Sequence, residues 1–263
     1  MTGVQTVAPV EVTLGPRTAW WPAAAAVYTG QLARVRVARG PLLFVATLQS
    51  LGILALLRGV IRSPDRNTAS AVVAGATVLV VAFVALNLLA QRFGALRAAR
   101  ALDYYAALPV PASAVVLGAA ASYATFTVPG AVITAVVGAA TFGLPMAHVW
   151  LVLPVIASAG VALSGVGAVL GLLMPRAELA TVAGQLGMTA VLFLGVIPPS
   201  HLPVAVRVVR AVVPAALAVD ALAAGLRGPV QPGPTAWRLA VTVAMGVLAL
   251  AAAGRLLRRA VRR

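Results

Sequence analysis

The chain has 263 residues, of which 62% are hydrophobic and only 10% charged, and its mean hydropathy is +1.02. A soluble domain is about half apolar and about a quarter charged, so this composition excludes a soluble globular protein. The net charge of +15 comes from 20 arginines that lie beside apolar runs and form no polar face interleaved with aromatic residues, which argues against nucleic-acid binding. The absence of cysteine excludes disulfides and thiolate chemistry.

The beginning of the chain is predicted to be a disordered cytoplasmic tail over residues 1–26. The next stretch, 27–40, carries Arg34, Arg36 and Arg39 among apolar residues. Two interpretations stay open: an interfacial helix on the inner leaflet, or a basic flank that only anchors the first span.

Six apolar segments follow, each long or nearly long enough to cross the hydrocarbon core, which takes about 20 residues. Only helices suit such isolated segments, because lipid cannot satisfy backbone hydrogen bonds. The predicted fold class is therefore all-α, a polytopic membrane protein with six transmembrane helices. The segments are Pro41 to Leu57, Ala69 to Ala90, Ala112 to Ala140, Met146 to Met174, Leu179 to Ile197 and Ala236 to Gly254.

These spans place a transmembrane domain at 27–254 and leave 255–263 as a basic cytoplasmic tail. With the N-terminus inside, thirteen arginines fall on the inner side and seven on the outer side. The excess predicts that both termini are cytoplasmic. Gly167 and Gly171, four apart in the fourth span, either permit close helix contact or are spaced so by chance.

The sequence lacks the residues that enzymes of the common classes need. It has no lysine and no phosphate-binding loop, so it is not expected to hydrolyse ATP unaided. Ser164 has no histidine at membrane depth to act as its base. His148 and His201 have no nearby third ligand, so no metal site is predicted. Ionisable residues are missing from span interiors, which disfavours an ion-coupled transporter.

Three polar side chains, Gln49, Asn87 and Gln185, fall within the predicted spans. They either face a substrate path or hydrogen-bond neighbouring helices, and both interpretations stay open. The otherwise apolar lining favours an amphiphilic or hydrophobic cargo over a small ion.

The inner loop between the second and third spans predicts a short amphipathic cytoplasmic helix with Leu102, Ala106 and Pro109 near one face. Pro109 and Pro111 stop this helix and turn the chain into the membrane. A helix at this place is well positioned to contact a soluble partner.

This loop resembles the corresponding loop of ABC-2-type ABC transporter permeases. The family carries an acidic residue, an aromatic or Leu-Leu pair, and then a small residue with proline. Asp103-Tyr104-Tyr105 and Leu108-Pro109-Val110 fit that order, although Asp103 stands where glutamate is commoner.

A second part of the resemblance lies after the fifth span, where the family has an apolar run ending in prolines, Leu-Pro, a short helix, Pro, and an Ala-x-Asp-Ala-Leu-like stretch. The matching residues include Pro198, Pro203, Pro214 and Asp220. The arginine that the family often has soon after the acidic residue comes later here, at Arg227. The resemblance covers roughly residues 28–254.

The resemblance implies a permease without its own ATPase site and without a cofactor, located in the cytoplasmic membrane of a bacterium. A separate ABC ATPase subunit would bind ATP and Mg²⁺, a second permease copy or a related permease would complete the path, and membrane lipids would surround it. The cargo implied is drug-like or lipid-like, moved outward. The implied ATPase-coupling residues are Arg97, Arg100, Asp103, Tyr104, Tyr105, Leu108 and Pro109.

Two other classes of protein compete with the transporter. An energy-independent channel or membrane scaffold would need no ATPase. A membrane enzyme is disfavoured by the missing catalytic residues.

Overall fold

The structure is a computed structural model that describes residues 19–34, 39–60, 64–102, 110–196 and 203–261. These ranges are helical and contain no strand. In chain order the α-helices are α1 (Trp20–Arg34), α2 (Arg39–Val60), α3 (Arg66–Val81), α4 (Leu89–Ala98), α5 (Ala112–Thr141), α6 (Val152–Leu173), α7 (Ala177–Val196), α8 (Val204–Ala211), α9 (Pro214–Arg227) and α10 (Pro232–Val261).

The prediction of six spans is confirmed, because six helical stretches are long and apolar enough to cross a membrane. The second span joins α3 to α4 through a π-helical segment, Ala82–Leu88. The fourth begins with a 3₁₀ turn, Met146–Leu151, that leads into α6. The other four spans are α2, α5, α7 and α10.

The chain alternates between the two ends of this bundle. We call one the Arg97 end, where α4, α6 and α10 finish and α5 and α7 begin. We call the other the Arg210 end, where α2, α5 and α7 finish and α3, α6 and α10 begin. The described residues on either side of the loop predicted to couple to an ATPase lie at the Arg97 end.

Helix α1 begins earlier than the sequence suggested. Residues 20–26 are helical, so for these residues the prediction of a disordered tail is wrong. The physical reason is packing on α5: Ala23 and Ala24 are buried against Ala114, and Trp20 Nε1 donates to Ser113 Oγ at 3.2 Å. The placement of α1 on the inner leaflet stays a prediction.

The last helix also runs further than the sequence suggested. Helix α10 continues to Val261, through most of the stretch expected to be a basic tail. Arginine and leucine are good helix formers, so an arginine-rich end can continue the helix beyond the hydrocarbon.

The second span is the central helix of the bundle. In its most apolar window 89% of the residues are buried, against 17% for the first span and 22% for the fifth and sixth. Helix α3 contacts α2, α5, α7 and α9, while α4 contacts α6 and α7. A displacement of this span would therefore change its packing against most of the other helices.

Asp65 fixes where the second span starts. Its backbone is extended and its Oδ1 accepts a hydrogen bond from the Thr68 N–H at 3.2 Å, as in an N-cap. Thr68, through its hydroxyl and then its backbone N–H, holds the pKa of Asp65 below its ordinary value of 3.8. Because this pKa is lowered on folding, the ionised cap stabilises the folded chain fully at pH values above the ordinary pKa of 3.8. This contribution is lost as the pH falls through the lowered pKa of the folded chain.

The tryptophans mark the two edges of the membrane-spanning region. Trp20 and Trp21 are exposed at the Arg97 end, whereas Trp150 and Trp237 are exposed at the Arg210 end. Tryptophan is enriched at both membrane–water interfaces, where its amphipathic ring sits at headgroup level. These four side chains account for every tryptophan in the chain.

The segment between the fifth and sixth spans enters the bundle without crossing it. Helix α9 is buried over much of its length, through residues such as Ala218 and Leu222, and it contacts α3, α6, α7 and α10. The chain nevertheless arrives and leaves at the Arg210 end. Helix α9 is therefore a re-entrant segment of the bundle.

Candidate functional site

The loop expected to couple the chain to an ATPase lies mostly outside the described residues. Asp103, Tyr104, Tyr105, Leu108 and Pro109 fall in the gap 103–109. Their assignment stays a prediction, as does the short coupling helix itself.

The foot of this loop, by which we mean residues 97–102 that precede it, is described and contacts the fourth span. Arg97 is half-buried, and its guanidinium Nη1 donates to the carbonyl oxygen of Leu172 at the end of α6. Leu102 is 5% exposed and packs in a cluster with Leu89 and Leu172. The loop therefore emerges from packed structure that joins the second span to the fourth.

The second span ends in a Schellman motif centred on Arg100. The Ala101 N–H donates to Leu96 O at 2.9 Å and the Arg100 N–H to Arg97 O at 3.1 Å. Arg100 has φ of 51°, and it is the only non-glycine residue in the described ranges with a positive φ. Glycine is the usual residue at this position of the motif, because a Cβ is unfavourable in the left-handed region.

The structure does not bring together the three polar residues proposed for a substrate path. Gln49 is half-buried on α2 and Gln185 is exposed on α7, while Asn87 is only 1% exposed inside the second span. Asn87 Oδ1 accepts a hydrogen bond from Gln91 Nε2 at 3.1 Å, one turn along the same helical stretch. For Asn87 the bond is thus within its span rather than between helices.

Asn87 also lies in the π-helical segment of the second span. Its amide packs so closely on α7 that a Cβ at Gly184 would lie 2.6 Å from Asn87 Oδ1. Single-turn π segments inside α-helices are frequent at functional sites, since the extra residue per turn loosens the hydrogen-bond ladder. The second span thus carries a local irregularity at the point where the fifth span crosses it.

Gly167 and Gly171 on α6 allow the fourth span to approach the second span closely. A Cβ at Gly167 would lie 2.5 Å from the Leu86 carbonyl oxygen, and one at Gly171 would lie 2.4 Å from that of Ala90. The spacing of these two glycines therefore permits close contact and is not a chance pattern. The fourth span rests directly on the backbone of the second span and its π segment.

The outer segment, as we call residues 203–231 between the fifth and sixth spans after their predicted side, contains an ion pair that the sequence analysis missed. Arg210 on α8 is 5% exposed, and its Nη2 donates to Asp220 Oδ1 on α9 at 2.7 Å. Its Nη1 lies 3.4 Å from Asp220 Oδ2, and its Nε donates to the Leu194 carbonyl of α7 at 2.7 Å. One guanidinium thus ties α7, α8 and α9 together.

A signal for this pair was present in the sequence. Asp220 is the last acidic residue of the chain, standing alone in an apolar stretch, so a basic partner was to be expected. Spacing could not choose among Arg207, Arg210 and Arg227, because Pro214 starts a new helix between them and the angle at that break is set by packing.

The other residues of the outer motif have separate places. Pro214 is at the first turn of α9, where its missing N–H costs nothing. Pro203 is exposed immediately before α8. Pro198 lies outside the described residues.

Ser164, the one serine weighed as a nucleophile, has a structural partner. It is fully buried and its hydroxyl donates to the Ala120 carbonyl of α5 at 3.3 Å. This bond joins the third and fourth spans, a common use of serine between membrane helices.

Comparison with known families agrees with this arrangement. Residues 29–226 match the family model described as ABC-2 type transporter, a range that begins within α1 and ends in α9. The chain belongs to the ABC-2 type transporter family. No curated protein matches it.

Membership makes the chain a membrane permease of an ABC transporter and a multi-pass membrane protein. ABC-2 permeases are transport subunits that generally lack an ATPase site of their own and normally work with an ABC ATPase. The match includes the predicted coupling loop and the re-entrant α9, and it ends before α10.

Proposed function

We propose that this ABC-2 permease is the membrane subunit of an exporter that moves an amphiphilic or hydrophobic substrate, drug-like or lipid-like, across the bacterial cytoplasmic membrane. A separate ATPase subunit binds ATP and Mg²⁺, and this chain needs no cofactor of its own. The observation that supports the proposal is the family match over residues 29–226.

The Arg97 end faces the cytoplasm in this proposal. Both termini then lie inside, with thirteen of the 20 arginines on the cytoplasmic side. The loop 103–109 is thereby presented to a soluble partner. Asp103 and the arginines at the foot of the loop supply charge-assisted bonds, and Tyr104 and Tyr105 fill a pocket in that partner.

The packing of the second span supports a mechanical role for the loop. A push at the loop acts on the central span, which contacts α5, α6, α7 and the re-entrant α9. The π-helical segment Ala82–Leu88 offers a place for this span to bend. ATP-driven closure of the ATPase would then bias the bundle between two packings, one open to each side.

The side chains available within the membrane support the proposed cargo class. Large apolar residues dominate the exposed surfaces of the spans, as on α2 and α7, and polar side chains such as Gln49 and Gln185 are scarce. An apolar path favours a hydrophobic or amphiphilic molecule over a small ion.

A second permease copy, identical or related, fits against α2 and α7. Both helices pack on α3, yet they leave Phe44, Leu48, Leu186 and Phe193 exposed. These residues would line the contact between the copies or the path that the copies enclose.

The ATPase partner can be tested directly. We expect the chain to co-purify with a P-loop ATPase encoded in the neighbouring reading frame, and the reconstituted complex to hydrolyse ATP faster than the ATPase alone. The triple variant Asp103→Ala, Tyr104→Ala, Leu108→Ala should lose this stimulation and transport while remaining inserted, because it removes the charged and apolar contacts of the loop together.

The matched control is Arg66→Gln, an exposed arginine at the opposite end of the same span. It should keep the stimulated ATP turnover. If the triple variant is stimulated as well as the control, the coupling interface is elsewhere. A chain that binds no ATPase in any form would instead be an energy-independent channel or scaffold.

The second copy can be tested by crosslinking, since the chain has no native cysteine. Leu48→Cys and Leu186→Cys, made separately, should give a crosslinked dimer with a short bismaleimide in vesicles. Leu248→Cys, on an equally apolar and exposed face of α10, should stay monomeric. The reverse pattern would place the contact between copies on α10.

A further inference from the structure

A cavity at the Arg97 end contains two of the arginines proposed above to contact the ATPase, and its apolar lining is not explained by that contact. It has a volume of ≈ 590 Å³ and opens between α4, α6 and α10. Three arginines line it: Arg97 and Arg100 from the end of the second span and Arg259 from the end of α10. The rest of the lining is apolar and includes Leu173 and Leu256.

One of the three charges in this cavity is fixed by a hydrogen bond, while Arg100 and Arg259 are exposed. Arg97 is anchored by its bond to Leu172 O and lines the cavity wall. Among the described lining residues there is no carboxylate to neutralise the three guanidiniums. A phosphate suits such a site, because guanidinium donors match its oxygens and tolerate partial burial.

The backbone of Arg100 gives a second and independent observation. Its φ of 51° lies at a helix-ending position that favours glycine. An arginine at this position carries a conformational cost, which motivates a function for its side chain, and that side chain lines the cavity.

We propose that this cavity binds one anionic phospholipid of the leaflet at the Arg97 end. The three arginines hold the headgroup phosphate, while the acyl chains leave along Leu173 and Leu256. A lipid is favoured over a free anion or an acidic protein because half of the lining is apolar. The cavity also lies at the ends of the fourth and sixth spans, and Leu173 is 50% exposed there.

The site would also act on the neighbouring loop. Leu102 lies at the cavity edge immediately before the loop 103–109, so a bound lipid would steady the segment from which the loop emerges. The lipid site itself goes beyond the proposed function and depends on neither an ATPase nor a cargo.

Native mass spectrometry of the full chain, extracted with equal amounts of phosphatidylglycerol and phosphatidylcholine, tests the proposal. One phosphatidylglycerol should be retained per chain in preference to phosphatidylcholine. Arg100→Gly and Arg259→Gln should each lower this retention about fivefold, the effect expected of one arginine beside an anionic lipid. Arg258→Gln, an exposed neighbour that does not line the cavity, should leave retention unchanged.

The variant Arg100→Gly also distinguishes the effect of losing the charge from the effect of losing the fold. Glycine accepts the positive φ, so this variant should unfold at or above the wild-type temperature while it loses the lipid. Arg100→Lys keeps the charge and should retain most of the lipid.

Three results would overturn the proposal. The first is equal retention of the two lipids, or a loss with Arg258→Gln as large as with Arg259→Gln. The second is displacement of the lipid by inorganic phosphate at low concentration, which would make the site one for free phosphate groups. The third is a wild-type lipid profile in Arg100→Gly.

Discussion

Replacing Asp220 with asparagine is expected to lower the free energy of unfolding by about 3 kcal/mol, because it leaves the buried guanidinium of Arg210 without its counter-charge. The value lies at the lower end of the range for broken buried pairs, since the side chain of Asp220 keeps 32% of its surface exposed. Thermal unfolding of the purified chain in detergent measures the effect. Arg207→Gln, an exposed arginine one turn away on α8, is the matched control and should change stability little.

The pair has a second signature that a simple loss of packing would not produce. The double variant Arg210→Met, Asp220→Leu removes both charges and should be more stable than Asp220→Asn, because no charge is left buried and unpaired. Arg210→Lys should be intermediate, since an ammonium cannot bond the carboxylate and the Leu194 carbonyl with the same geometry. If Asp220→Asn is as stable as Arg207→Gln, the pair does not hold the outer segment.

The second large effect is expected at Gly171. Its added Cβ would lie 2.4 Å from the Ala90 carbonyl oxygen, a backbone atom that cannot move unless the two spans separate. Gly171→Ala should therefore cost about 1–3 kcal/mol of stability, as overpacked cores do, and Gly171→Leu should abolish the folded protein.

The control for this change is Gly52→Ala on α2, where the added Cβ would meet nothing within 4 Å beyond the backbone of its own helical turns. It should be neutral or slightly stabilising, because alanine is the better helix former. The yield of monodisperse protein and its unfolding temperature report both variants. Equal behaviour of Gly171→Ala and Gly52→Ala would contradict the close packing of the second and fourth spans.

Both predictions concern contacts that determine how the second span can move. Gly167 and Gly171 allow the fourth span to pack on the second span at and just after the π-helical segment. The ion pair of Arg210 and Asp220 fixes the re-entrant α9, which packs on α3. A transport cycle that displaces the second span must preserve or exchange these contacts. Variants at the two places are therefore expected to lower the stability of the protein and, as a consequence, its transport activity.

The helical membrane fold could be predicted from the sequence because it follows from a local property. A long apolar run must become a helix in lipid, where backbone groups have no other partner, so the six spans were predictable from length and composition. The family motifs were likewise readable, since they are short and ordered along the chain. Their residues 103–109 lie outside the described part, so the coupling interface rests on that order alone.

Other features could not be predicted, because they depend on which surfaces meet. The third span is apolar on every side, so no periodicity reveals which face packs inward, and the same holds for much of the bundle. Asn87 and Gln185 are both polar residues within spans, so the sequence could not predict that Asn87 is buried and Gln185 is exposed. The early start of α1 depended on its packing against α5.

The sequence by itself determined that this protein is a six-span helical membrane protein with the motifs of an ABC-2 permease. Lipid excludes the alternatives to a helix, and that constraint acts on each segment separately. Only the tertiary structure decided that α9 is re-entrant, that Arg210 is the partner of Asp220, and that Gly167 and Gly171 touch the backbone of the second span. These contacts join residues far apart in the chain, and their geometry is set by helix packing rather than by any local pattern.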